Sequence, residues 1–209
     1  MKPAPLDQAG YPVGGGSPVN LPNALTVVRL LCVPLLIILL VRSAEPSPIA
    51  RDLAAVLFVL ASLTDLVDGA IARARGQVTT FGKIADPIAD KALIATALIG
   101  LSALGQLPWW VTIVILGREI AVTALRFWVI EHGVIPASRG GKAKTVAQTV
   151  AITTYLVDVP LVPWWEVVRA IAMGIAVALT VVTGIDYAVR ARRLRHVASG
   201  EITGDGAVR

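Results

Sequence analysis

Cysteine is nearly absent from this chain. Cys32 is the only one and lies inside an apolar run, so no internal disulfide can form. Histidine is almost as scarce: His132 and His196 stand alone in polar surroundings. Together these scarcities exclude a Cys/His zinc site. Charged residues make up 16% of the sequence and aromatics 5%. A nucleic-acid-binding domain would need a basic soluble surface with exposed aromatics, so no nucleic-acid partner is expected despite a net charge of +5. Alternating apolar and polar segments are missing too, which excludes a membrane β-barrel. No cleavable signal peptide is expected, because Lys2 is the only cation ahead of the apolar run that begins at Leu25.

What the chain has in abundance is apolar sequence. It is 56% hydrophobic with a mean hydropathy of +0.73, more than a soluble domain needs. Several runs approach the roughly 20 residues of a spanning helix. The chain therefore reads as an all-α polytopic integral membrane protein with six transmembrane helices. Spans are expected over about 23–42, 49–74, 86–104, 108–131, 143–159 and 165–189. Residues 1–20, rich in Pro and Gly, read as a disordered tail, 21–195 as one six-helix domain, and 196–209 as a second disordered tail. Asn23 is placed to cap the first span. Trp109, Trp110, Trp164 and Trp165 fall at interface positions.

An even number of spans leaves both termini on one side. That side holds Arg73, Arg75, Lys83, Arg139, Lys142, Lys144, Arg190, Arg192, Arg193 and Arg195; the other holds Arg42, Arg51 and Arg169. Positive charge marks the cytoplasmic side, so both termini are expected there. Basic residues beside apolar spans suit anionic membrane lipids and phosphorylated substrates.

Four aspartates lie at the same side, in "LTDLVDGAIARARGQVTTFGKIADPIADKALI". Asp65 and Asp68 are three apart and Asp86 and Asp90 four apart, so each pair shares a helix face. A short loop makes the two helices antiparallel neighbours, and all four carboxylates can then meet. Asp65 follows Arg51 by about 21 Å of helix, which sets it towards the cytoplasmic edge. Packed carboxylates in a low dielectric cannot all stay ionised alone. A divalent cation resolves the conflict. Oxygen-only ligands favour Mg²⁺ or Mn²⁺, and four carboxylates suit two ions and displacement at phosphorus. Pairing with Arg73, Arg75, Lys83 or Lys91 would explain one such aspartate but not all four. Small residues flank them: Gly69 within the helix and Gly82 in the loop allow close approach of a ligand to the backbone. Arg73 can reach a phosphate.

The series Asp65, two residues, Asp68-Gly69, two residues, Ala72-Arg73, eight residues, Gly82, three residues, Asp86, three residues, Asp90 resembles the signature of the CDP-alcohol phosphotransferases. The flanks "NLPNALTVVRLLCVP", "ILGREIAVTALR" and "PASRGGKAKT" resemble the members of that family that make phosphatidylglycerophosphate. The resemblance implies a six-helix membrane fold, a homodimer, and a bacterial cytoplasmic membrane with the site facing the cytoplasm. It implies transfer of the phosphatidyl group of CDP-diacylglycerol to sn-glycerol 3-phosphate, with release of CMP. On that reading Asp65, Asp68 and Asp86 hold metal. Asp90 is the general base and can touch metal too. Asn23, Gly69, Arg73 and Gly82 shape the CDP-lipid site.

A phosphorylated acceptor needs its own anion site. Arg118 lies well inside an apolar run, where ionisable side chains face the bundle interior. It can grip a phosphate with two parallel hydrogen bonds, although a structural pair with Glu119 would also account for it. Ser138, Arg139, Lys142 and Lys144 at the start of the fifth span form a phosphate cradle. Two alternatives stay open: the same chemistry with inositol phosphate or phosphatidylglycerol as acceptor, and a divalent-cation transporter.

Overall fold

A computed structural model describes residues 21–44, 48–74, 80–129, 139–157, 159 and 162–204. Among them it contains six helices and no strand: α1 (Leu21–Arg42), α2 (Pro48–Ala74), α3 (Thr80–Ala103), α4 (Trp109–Val129), α5 (Arg139–Leu156) and α6 (Trp165–Gly204). The chain divides into two compact units. The first comprises Met1–Leu107 with Tyr155–Val159, the second Pro108–Thr154 with Pro160–Arg209.

In the first unit α1 packs against both α2 and α3. Leu36 and Leu40 of α1 bury against a surface in which alanine is frequent: Ala54, Ala55 and Ala61 on α2, Ala85, Ala89 and Ala97 on α3. Small side chains let helix backbones approach closely and replace the hydrophobic drive that lipid would not supply. Gly100 is the tightest case, since a Cβ there would lie 2.5 Å from Leu40 Cδ1. Pro34 removes one N–H, yet α1 runs unbroken around it, as helices in apolar surroundings tolerate. The end of α3 is closed by Gly105 at φ 71°. Its N–H bonds Ser102 O at 3.0 Å, and that of Gln106 bonds Leu101 O at 3.0 Å. This is the left-handed glycine stop that satisfies the last helical carbonyls. Arg51, near the start of α2, ties the same end together. It donates to Gln106 Oε1 at 2.9 Å and to the carbonyls of Tyr155 and Leu156 at 2.9 and 3.1 Å.

In the second unit α4 packs against α6, burying Val111 and Ile115 on one helix and Met173 and Ala176 on the other. Helix α5 contributes the buried Ala151 and Ile152. Polar groups share this interior: Thr112, Lys144, Gln148 and Thr180 are all buried.

The outer faces are apolar. Val27, Leu31, Ile38 and Val41 on α1, Ile113 and Ile120 on α4, and Ile171, Val182 and Ile185 on α6 are all exposed. Single exposed apolar residues are ordinary on soluble proteins, but stripes along helix after helix are a surface for lipid. Segments Asn23–Arg42 and Trp165–Arg192 are by themselves long and apolar enough to cross a bilayer.

The structure departs from the sequence expectations at several helix ends. Asn23 does not precede the first helix as a cap; it lies within the first turn of α1, and buried. Gly82 lies inside α3, which starts at Thr80, and not in a loop. Helix α5 starts at Arg139, so Arg139 and Lys142 are helical. Helix α6 continues to Gly204, through the segment assigned to a tail. No Gly or Pro stands between Gly184 and Gly200 to stop it.

Candidate functional site

Each unit carries its own polar cluster. In the first, α3 sets Asp86 and Asp90 one turn apart on one face, both partly buried. Asp86 is held from α1, where Thr26 Oγ1 donates to its Oδ1. Thr26 is 1% exposed and sits midway between Asn23 at 4% and Arg29 at 1%. Asn23, Thr26 and Arg29 recur every three residues, so they form one polar stripe on a helix whose other faces are apolar. A buried guanidinium is costly without negative charge or dense hydrogen bonding around it. Its place in this stripe makes the buried side of α1 polar where Thr26 meets Asp86 of α3.

Positions 65, 68, 69 and 73 fall within α2, and position 82 within α3. The side chains of Asp65, Asp68 and Arg73 lie outside the described residues, as does the surrounding of Gly69 and Gly82. Among the described residues no three acidic, His or Cys side chains gather, because only Asp86 and Asp90 of the four aspartates are included. Five residues join Ala74 to Thr80, so the chain holds the two aspartate-bearing helix ends within about 20 Å at full stretch. The donors on α3 are hard oxygens with one carboxylate pinned by a hydroxyl, which fits a divalent Mg²⁺-type cation.

In the second unit α4, α5 and α6 assemble a network around Glu119. Its Oε1 accepts from Arg118 Nη1 at 3.2 Å and from Lys144 Nζ. Arg118 also donates from Nε to the Thr180 carbonyl at 3.1 Å and from Nη2 to Thr183 Oγ1 at 3.0 Å. Gln148 Nε2 donates to Thr180 Oγ1 at 2.8 Å. Gly184 makes room for this: a Cβ there would lie 2.9 Å from Arg118 Cγ. The three ionised groups are 8–18% exposed and sum to one net positive charge. Two cations sharing one carboxylate compensate part of the cost of burying charge.

Of the expected acceptor-site residues, the structure thus brings Arg118 and Lys144 together. Lys142 is exposed on another side of α5. Ser138 and the side chain of Arg139 lie outside the described residues. Sequence reasoning took Glu119 only as a possible structural partner and missed Thr26, Arg29, Gln148, Thr180 and Gly184. The stripe at positions 23, 26 and 29 was a usable signal, since three polar residues on one face of an apolar helix are unlike a lipid-facing surface. Gln148 and Gly184 carried no such signal.

Residues 19–182 match the profile of the CDP-alcohol phosphatidyltransferase family. A protein of Mycobacterium tuberculosis (strain ATCC 25618 / H37Rv), named "Probable phosphatidylglycerophosphate synthase", is 48% identical over 186 residues, which cover 89% of this chain and 88% of that one. The CDP-diacylglycerol–glycerol-3-phosphate 3-phosphatidyltransferase of Bacillus subtilis (strain 168) is 39% identical over 179 residues, 80% of this chain and 93% of that one. The enzyme of the same name from Rickettsia typhi (strain ATCC VR-144 / Wilmington) is 39% identical over 171 residues, 80% of this chain and 94% of that one. With most of its length matched and its aspartate series intact, the chain belongs to the CDP-alcohol phosphatidyltransferase family.

Proposed function

We propose that this protein is an integral membrane enzyme that transfers the phosphatidyl group of CDP-diacylglycerol to sn-glycerol 3-phosphate, forming phosphatidylglycerophosphate and CMP. The observation that carries the reading is the near full-length identity to relatives named for that reaction. The side-chain chemistry supports it. One unit carries an oxygen-donor site and the other a buried, net-cationic one suited to a phosphorylated acceptor.

In the reaction the primary hydroxyl of glycerol 3-phosphate attacks the phosphorus that bears the diacylglycerol. A new P–O bond forms, the P–O bond to the cytidylate breaks, and CMP leaves with the electron pair. Asp90 accepts the hydroxyl proton, as a general base must from within hydrogen-bond reach. Asp65, Asp68 and Asp86, with Asp90 at the edge, would hold the divalent ions on which this family generally depends. Divalent ions held there, two of Mg²⁺ or Mn²⁺ in this proposal, would supply charge neutralisation to the pyrophosphate and the leaving group. Thr26 fixes one oxygen of Asp86. Asn23, Gly69, Arg73 and Gly82 belong to the CDP-lipid side, and Arg118, Ser138, Arg139, Lys142 and Lys144 to the acceptor phosphate.

All six helices cross or enter the bilayer as one domain over 21–195, with both termini and the aspartates at the cytoplasmic face of a bacterial membrane, in a homodimer. The exposed apolar stripes and the excess of Lys and Arg on one side support it.

An acceptor screen tests the function. Purified protein with CDP-diacylglycerol and Mg²⁺ should release CMP with glycerol 3-phosphate and little with inositol 1-phosphate or phosphatidylglycerol. A reversed order would overturn the acceptor while keeping the class. Failure to bind any cytidine nucleotide would favour a cation transporter.

A further inference from the structure

We propose that Gln148 recognises the secondary hydroxyl of the acceptor, and so selects glycerol 3-phosphate among small phosphorylated alcohols. The inference rests on the acceptor reading above. Gln148 is 1% exposed on α5. Its Nε2 donates to Thr180 Oγ1 at 2.8 Å. The Thr180 hydroxyl spends its own proton on Ala176 O at 2.6 Å, so it can only accept from the amide. That fixes the amide: the N–H side faces Thr180 and the carbonyl faces away. The carbonyl oxygen, Gln148 Oε1, is buried and has no hydrogen-bond partner among the described residues. Buried acceptors are rarely left so, and each calls for an explanation.

Its neighbours indicate the ligand. Gln148 lies one turn beyond Lys144 on the same face of α5. Thr180 joins it to Arg118, because the hydroxyl of Thr180 receives Gln148 and its carbonyl receives Arg118 Nε. A neutral acceptor oxygen is therefore carried by a residue one helical turn from Lys144 and joined through Thr180 to Arg118. That is a site for a molecule with a phosphate and, a carbon or two away, a hydroxyl that donates. In glycerol 3-phosphate the primary hydroxyl is consumed by the reaction. The secondary hydroxyl, on the carbon next to the phosphate ester, is the one left for recognition. A site built to receive a hydroxyl rejects an analogue that lacks it, since the buried carbonyl is then unanswered.

The test uses 3-hydroxypropyl phosphate, which keeps the phosphate and the attacking primary hydroxyl and lacks only the secondary one. CMP release gives kcat/KM for both acceptors in the wild type, Gln148→Met and Gln148→Glu. The wild type should prefer glycerol 3-phosphate by about tenfold or more. In Gln148→Met that preference should shrink to about twofold, with the loss confined to glycerol 3-phosphate and mostly in KM. Gln148→Glu keeps an acceptor oxygen and should keep part of the preference. Thr180→Val, which releases the amide, gives an independent readout and should also lower it. An unchanged preference in Gln148→Met or in Thr180→Val would overturn the inference and leave Oε1 to a bound water. If the wild type turns over neither compound but uses another phosphorylated alcohol, the acceptor reading itself has failed, and this inference with it.

Discussion

Thr26 and Gly184 act through a neighbour, and each can be tested without touching a group that reacts. Thr26→Val keeps the shape of the side chain and removes the hydroxyl that donates to Asp86. Partners that orient a metal-binding carboxylate typically matter tenfold or more to metal affinity. The Mg²⁺ concentration for half-maximal CMP release should rise about tenfold in that variant; an unchanged midpoint would mean that the bond does not serve the metal site. Gly184→Ala places a methyl 2.9 Å from Arg118 Cγ and must displace that side chain. KM for glycerol 3-phosphate should rise several-fold while KM for CDP-diacylglycerol stays the same. Equal effects on both would argue that the change only loosens α6. The two residues differ in how legible they were. The four aspartates stood out because carboxylates in apolar helices are rare and need a reason. Thr26 was legible in principle, from its spacing to Asn23 and Arg29. Gly184 and Gln148 could not be read, because a glycine or a glutamine in a helix has many uses. What decides their role is the residue facing them from another helix.

The helices themselves were largely legible, since long apolar runs between Gly, Pro and charged clusters leave few alternatives. Their ends were less so. Helix α3 extends upstream of Asp86 to Thr80, because Thr80, Phe81, Lys83 and Ile84 tolerate a helix although they lie outside the apolar run. Asn23 looked like a cap by residue type, but it is buried against its own unit and serves the interface instead. Arg51 shows how an element is tied from outside. Its charge-assisted bonds reach the carbonyls of Tyr155 and Leu156 at the end of α5. Arg51→Met keeps much of the stem and removes the bonds to those carbonyls and to Gln106. Stability in detergent should fall by about 2 kcal/mol, measured as a lowered midpoint of thermal unfolding, with the KM values of the residual folded enzyme unchanged. A midpoint equal to that of the wild type would mean that water replaces the arginine at no cost.

At the scale of the molecule, the polar clusters fall in two separate units. The first carries Asp86, Asp90 and the polar stripe of α1; the second carries Arg118, Glu119, Lys144 and Gln148. Such a division suits a reaction between an apolar donor that must stay in lipid and a small, charged acceptor that arrives from water. Apolar outer faces would hold the protein in the bilayer, and basic residues on one side would orient it. The sequence made this class of protein and of reaction legible because composition and the aspartate series act over the whole chain. The acceptor was harder to read, since it depends on a few polar contacts among α4, α5 and α6. The central claim is that the aspartates perform the transfer, with Asp90 as base. It is tested most directly by measuring CMP release together with metal and CDP-diacylglycerol binding in Asp90→Asn. The account expects turnover to fall at least about 100-fold while both ligands still bind. Retained turnover, or loss of binding in step with turnover, would contradict it.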